Sequence, residues 1–251
     1  WVMDLVHGQF NFDIGAGGTS ETNRFAVKGF YADSALWDGI EYDDTGWTGP
    51  DGYGAYAHGT AGSFNELLEW TDSPTSTVTL TLMGGAPDGS WTPGSWYYDG
   101  TNQLYYRPSD DSLTGKHVTK LSSTSYTLNL AGHDYVTVEG LLLPRGIRIG
   151  SGQPAHHAWI HNNTIGGHHA QICLAVNRSG NTLGSHYGRI SYNDISDGGN
   201  GIYIINQGYD ELNDSNGWQI DHNRIHDISG TSDSHCIGIQ GGCSNVIEYK
   251  E

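Results

Sequence analysis

Isoleucine recurs along the second half of the chain in short alternating runs set at a fixed distance. Residues 160–165 read IHNNTI, residues 190–195 read ISYNDI and residues 220–225 read IDHNRI. Asn163, Asn193 and Asn223 therefore stand 30 residues apart, each with an isoleucine three before and two after. A second run follows each of these: ICL at 172–174, IYI at 202–204 and IGI at 237–239. The gap from the preceding isoleucine is 7, 7 and then 12 residues, so one loop has grown by five. Period-two alternation in short runs predicts strands with one buried face. A fixed repeat of this length predicts that each unit buries that face against the units above and below it, as in a β-solenoid. The recurring asparagine is expected at a corner, its amide bonded to the next one along the stack.

YVTVEGLLL at 135–143 with GIRI at 146–149 reads as an earlier coil, and NVIEYKE at 245–251 opens another. The pattern stops in mid-coil, so the protein is expected to continue beyond Glu251. Residues 1–130 lack the repeat and carry six of the eight tryptophans. They are expected to form an N-terminal β-rich cap region, with 131–251 as the coils. Strands are predicted at TVTLTLM (77–83), SWYYD (95–99), QLYYRP (103–108) and TSYTLNL (124–130), and a short helix at FNELLEW (64–70).

Composition narrows the function classes. With 28 acidic against 11 basic residues the net charge is −17, which repels phosphate backbones and anionic bilayers, so neither nucleic acid nor membrane is an expected partner. No stretch approaches the roughly 20 apolar residues that span a bilayer. The 37 glycines and the low charged fraction of 16% belong to a turn-rich β protein rather than a helical or disordered one. Cys173, Cys236 and Cys243 are too few for a disulfide framework. A Cys236–Cys243 bridge is open, with free or buried thiols the expectation.

The repeat also points to chemistry. Asp197 and Asp227 each lie four residues after a ladder asparagine, so they should occupy one slot on neighbouring coils, roughly 4.8 Å apart. Glycoside hydrolysis uses two carboxyl groups, about 5–5.5 Å apart for retention or about 6.5–9.5 Å for inversion. Two such charges push one pKa upward and leave an acid beside a base. Asp227 is the expected acid, screened from water by His226 and the enlarged loop from Ile228 to His235. The same aspartates equally suit turns, and that reading stays open. His168, His169, His222, His226 and His235 fall near coil edges, where they can bind sugar hydroxyls, act as bases or hold a metal. Tyr203 should project outward, and Tyr209 and Trp218 lie in the following loop, so all three are candidates to stack on pyranose rings. No HExxH or Cys-His zinc spacing is present, so no metal ligands are assigned and no cofactor is implied. A calcium site drawn from the surplus Asp and Asn is the one exception left open. Three function classes remain: a hydrolase built on carboxylates, a polysaccharide lyase with a base and cations, and a noncatalytic adhesin, fibre or sugar-binding scaffold.

WYYDGTNQLYYRPSDD, HDYVTVEGLLL, DGGNGIYI and HNRIHDI resemble the bacterial right-handed parallel β-helix proteins of pectate-lyase-like fold that act on carbohydrates. The chain is most similar to their glycoside hydrolases of the β-xylosidase and fucosidase kind, from about residue 91 onward. The resemblance implies an all-β, right-handed single-stranded parallel β-helix, a polysaccharide or oligosaccharide as partner, and a secreted or cell-surface location. Such hydrolases often carry acidic residues near a G-I-Y strand in the coil after the IHD-type segment. This chain reads HCIGIQGG there, with Gln240 in the expected carboxylate position and taken as substrate-binding.

Overall fold

Backbone pairing in the computed structural model follows the register that the isoleucines set. Ile160 pairs with Ile190 and Ile190 with Ile220, while Ile165 pairs with Ile195 and Ile195 with Ile225. The structure describes residues 2–5, 8–9, 12–13, 17–29, 36–37, 41–42, 45–59, 66–71, 78–121, 126–143, 145–150, 152–170, 172–177, 184–205, 215–229, 234–240 and 246–248. Among these residues every regular element is a strand, so the chain is all-β. None of them forms a helix long and apolar enough to cross a membrane.

Three parallel sheets carry the repeat. The first runs Val2–Leu5, Phe25–Gly29, Val136–Glu139, Trp159–His161, Arg189–Ser191, Gln219–Asp221 and Val246–Glu248. The second runs Leu142–Leu143, Thr164–Ala170, Asp194–Gly198 and Arg224–His226. The third runs Phe12–Asp13, Leu128–Asn129, Ile147–Ile149, Leu174–Asn177, Ile202–Ile205 and Ile237–Gln240. From Leu128 the chain visits third, first and second sheets in unchanging rotation. Every strand thus lies beside its counterpart one circuit earlier, about 4.8 Å away, and equivalent side chains stack. Val27, Val138, Ile160, Ile190 and Ile220 form the inward column of the first sheet, and all are buried. They join one core with Ile165, Ile195, Leu174 and Ile202.

Passing from sheet to sheet needs a sharp bend, and the chain makes it with left-handed residues. Tyr135, His157, Tyr187 and Gly217 precede the first sheet with φ of 54°, 55°, 59° and 72°. Gly140, Asn162, Tyr192 and His222 follow it with φ of 70°, 55°, 56° and 53°. A tyrosine in that region is costly, of order 1–2 kcal/mol, and persists because pairing on both sides over-determines the backbone.

Bends leave backbone groups without sheet partners, and columns of side chains satisfy them. The Asn163 backbone N–H and side-chain amide both donate to Asn193 Oδ1, at 3.1 and 3.0 Å. Asn193 repeats this onto Asn223 Oδ1 at 3.0 and 2.9 Å, and its amide also donates to the Ile160 carbonyl at 3.0 Å. Ser185 and Ser215 form a second column, accepting from the backbone N–H of Ala155 and Ser185 at 3.0 and 3.2 Å. A third joins Asp134 Oδ1 to His156 N, His156 Nδ1 to His186 N and His186 Nδ1 to Asn216 N.

The register differs from expectation at one place. Ile202 pairs with Leu174, not Ile172, because two extra residues lie between Gly166 and Ala170 relative to the facing strand. The isoleucine at 172 imitated the repeat from a bulge.

By its internal packing the chain divides into two units, Trp1–Trp37 with Ser125–Glu251, and Asp38–Thr124. Strands of residues 2–37 join the first and third sheets, and Gly8–Gln9 pairs with Leu36–Trp37. Residues 1–130, expected as one cap region, are therefore shared between the units. The second unit holds two four-stranded, mainly antiparallel sheets around Leu67, Trp96, Leu104 and Tyr106. The helix expected within 64–70 is instead strand Glu66–Trp70, paired on both edges and buried at all five positions. Burial on both faces removes the alternation that marks a strand. Glu69 there accepts from Tyr106, Ser109 and Lys116. Burial works to raise its carboxyl, and those bonds outweigh it and hold the group below the usual range.

Ile195 is packed by a circuit on each side. Ile195→Ala should cost about 2–5 kcal/mol, seen as a lower denaturation midpoint, and an unchanged midpoint would contradict its burial. Asn193→Ala removes the acceptor of the Asn163 N–H and one donor to the Ile160 carbonyl and should cost about 1–3 kcal/mol in the same assay.

Candidate functional site

Near the end of the second sheet an aspartate stands in the same slot on two successive circuits. Asp197 and Asp227 each follow the paired residues Ser196 and His226 by one position and have φ of 53° and 52°. Aspartate tolerates this conformation because its short polar side chain bonds locally. The bend turns both side chains outward, and both residues are exposed. Their backbones thus stand one strand spacing apart, about 4.8 Å, as the register predicts.

His226 ties one of them to the sheet. Its Nδ1 lies 2.7 Å from Asp227 Oδ2 and its Nε2 lies 2.9 Å from Asp194 Oδ1. The other Asp194 oxygen meets Arg224 Nη1 at 3.2 Å. With a carboxylate at each nitrogen, the imidazole is held above its ordinary pKa, chiefly by the Asp227 hydrogen bond and then by Asp194. Asp197 makes no hydrogen bond among the described residues. Its charge adds to burial in pushing the Cys173 thiol up to about 12, which leaves that cysteine inert. Cys173 and Cys236 are both free. Cys243 lies outside the described residues.

Across the corner, on the outer face of the third sheet, Tyr203, His235 and Gln240 come together. The Tyr203 and His235 rings stack at 6.3 Å and 15°, and the Tyr203 hydroxyl donates to Gln240 Oε1 at 3.4 Å. Tyr203 lies flat on Gly238, where a Cβ would fall 2.2 Å from its ring. The phenol ring therefore stands on bare backbone and projects outward, as alternation from Ile202 and Ile204 predicts.

Two expectations are corrected. Trp218 is fully buried, with its indole N–H on the Ser185 carbonyl at 2.8 Å, so it is a core residue and not a sugar platform. It stands two residues before the inward Ile220, and Gly188 in the neighbouring circuit makes room for its ring. Asp227 is 74% exposed in its side chain, so it is not screened from water as expected. His168 and His169 lie in strand Thr164–Ala170 at the register shift, and their side chains fall outside the description, as does Tyr209. Among the described residues no three His, Cys, Asp or Glu side chains converge as a metal ion would need. Asp194 and Arg224 escaped the sequence reading, although their 30-residue spacing places them side by side.

No protein-family model and no curated protein sequence matches the chain. A solved structure, the complex of XylC with xylose, matches over 98% of this chain with a TM-score of 0.56 and 13% identity. The chain spans 58% of that chain's length. At this identity the likeness is one of fold.

The raised pKa of His226 links the corner to pH. Its stabilising contribution is fully present below the unfolded value of about 6.5 and is lost as pH rises through the higher folded value. The melting-temperature advantage of wild type over His226→Gln should therefore shrink as pH rises above about 6.5. A gap that stays constant with pH would contradict the Asp194–His226–Asp227 contacts.

Proposed function

We propose that the three-sheet rotation is a right-handed single-stranded parallel β-helix and that the protein is a secreted or cell-surface glycoside hydrolase using Asp197 and Asp227. Right-handed connection is the rule for parallel strands joined across a layer. The observation that carries the catalytic reading is the shared register of the two aspartates. It sets the backbones of the two exposed aspartates one strand spacing apart on adjacent circuits, about 4.8 Å, and supports the reading because retaining hydrolases use carboxyl groups about 5–5.5 Å apart. Tyr203, near the same corner, offers a ring for a pyranose to stack on. The xylose bound in a structure of similar fold supports a saccharide as the ligand.

A hydrolase is favoured over a lyase because three of the arginines that could neutralise a uronate are already engaged by carboxylates. Arg24 pairs with Glu21, Arg189 with Asp221 and Arg224 with Asp194. A sugar-binding scaffold is the second reading. It is favoured by the left-handed φ that the two aspartates share with ordinary corner residues such as Asn162 and His222.

Asp197→Asn and Asp227→Asn separate these readings, because asparagine keeps the bend and removes only the carboxylate. Asp197→Asn should melt like wild type, Asp227→Asn should lose only what its bond to His226 contributes, and each should release reducing ends from xylose-containing oligosaccharides about 10²–10⁴-fold more slowly. Full activity in both places the chemistry elsewhere. Saccharide binding without turnover in the wild type supports the scaffold, and an unsaturated uronate product supports a lyase.

A further inference from the structure

A recess on the outer face of the first sheet, away from the aspartate corner, encloses about 210 Å³ between side chains of two successive circuits and an earlier loop. His157 and Trp159 line it from one circuit and Tyr187 and Arg189 from the next, with Glu21 and Arg24 alongside. The sequence carries this arrangement in the repeat itself. His157 and Tyr187 share the corner column before the sheet, and Trp159 pairs with Arg189.

The walls are held from behind. The Arg24 side chain is 13% exposed, and its guanidinium donates to Glu21 Oε2 at 2.7 Å, Thr137 Oγ1 at 2.8 Å, the Val136 carbonyl at 2.9 Å and the His157 carbonyl. The other Glu21 oxygen lies 2.8 Å from His157 Nδ1. Glu21 is thus fixed by two partners while 63% of its side chain stays open to solvent. The His157 ring stacks between Tyr135, at 4.4 Å and 8°, and Tyr187, at 5.4 Å and 30°. Trp159 donates its indole N–H to Ser191 Oγ at 3.3 Å and leans on His161 at 4.2 Å. Arg189 is gripped by both oxygens of the buried Asp221, at 2.9 and 3.0 Å.

We propose that this recess binds one ring of an uncharged saccharide, as an anchor point separate from the Asp197 and Asp227 corner. Trp159 offers flat apolar surface for the C–H face of a sugar, and the exposed edge of the Tyr187 ring borders it. Carboxylate and guanidinium groups locked in place supply acceptors and donors for its hydroxyls without losing side-chain freedom on binding. Each arginine has a carboxylate in contact, so the recess carries no surplus positive charge to select an anion. Pockets for drug-sized ligands run from about 300 to 1,000 Å³, and this smaller one suits a single ring. The inference rests on the carbohydrate reading but not on the catalytic assignment of the aspartates.

The test is an NMR titration of the full chain with D-xylose, xylo-oligosaccharides and galacturonate, following the Trp159 indole N–H assigned by its loss in Trp159→Phe. The neutral sugars should shift that resonance. Trp159→Ala, followed through the backbone amides of His157 and Tyr187, should weaken binding at the recess about tenfold or more, while Asp197→Asn leaves it unchanged. Sugar binding that moves other resonances and leaves Trp159 unmoved would overturn the recess alone. Preference for galacturonate that fades with salt would overturn its neutral selectivity. No binding of any sugar would overturn the recess and the carbohydrate reading together.

Discussion

Parallel pairing at a spacing of about 4.8 Å is the constraint on which the first unit depends. Each circuit must offer its backbone groups and inward side chains where its neighbours need them, so a residue type that suits one circuit recurs in the next. The Asn163, Asn193 and Asn223 column shows the consequence at its clearest. The Asn193 amide satisfies a backbone N–H and bonds a carbonyl of the circuit on one side, and it also bonds the next amide in the column on the other. Serine and the Asp134, His156 and His186 column do the same work at neighbouring bends with different chemistry. Hydrophobic stacking supplies the core, and these columns keep the bends from leaving bare polar groups inside it.

The same constraint explains what was legible in the sequence. Ile160, Ile190 and Ile220 announced the stack because their circuits have equal length, and the asparagine column could be read from spacing alone. Where a circuit changes length the signal misleads, as at Ile172, which the extra residues after Gly166 moved out of register. The first circuits, in residues 2–37, could not be recognised because they lack the isoleucine and asparagine signature and the second unit interrupts them in the chain. Trp218 was misplaced although the alternation running into Ile220 already fixed its side. Its position two before Ile220 puts it inward, and the small Gly188 in the adjoining circuit completes the space it fills.

The candidate site was legible to a similar depth. Spacing gave the shared slot of Asp197 and Asp227, since it depends only on register. It did not give the contacts of His226 with Asp194 and Asp227, because these depend on side-chain rotation outside the stack. The outward columns also created the recess beside Trp159. Stacking circuits thus turns one-dimensional repetition into surfaces whose chemistry is set residue by residue, and the proposed carbohydrate activity draws on two of them.

Crystals of the protein soaked with a xylo-oligosaccharide test the central proposal most directly. The proposal predicts a saccharide lying across the corner between the second and third sheets. One glycosidic oxygen should sit within about 2.6–3.2 Å of a carboxylate oxygen of Asp197 or Asp227. An ordered saccharide elsewhere on the molecule, with both aspartates facing only solvent, would contradict it.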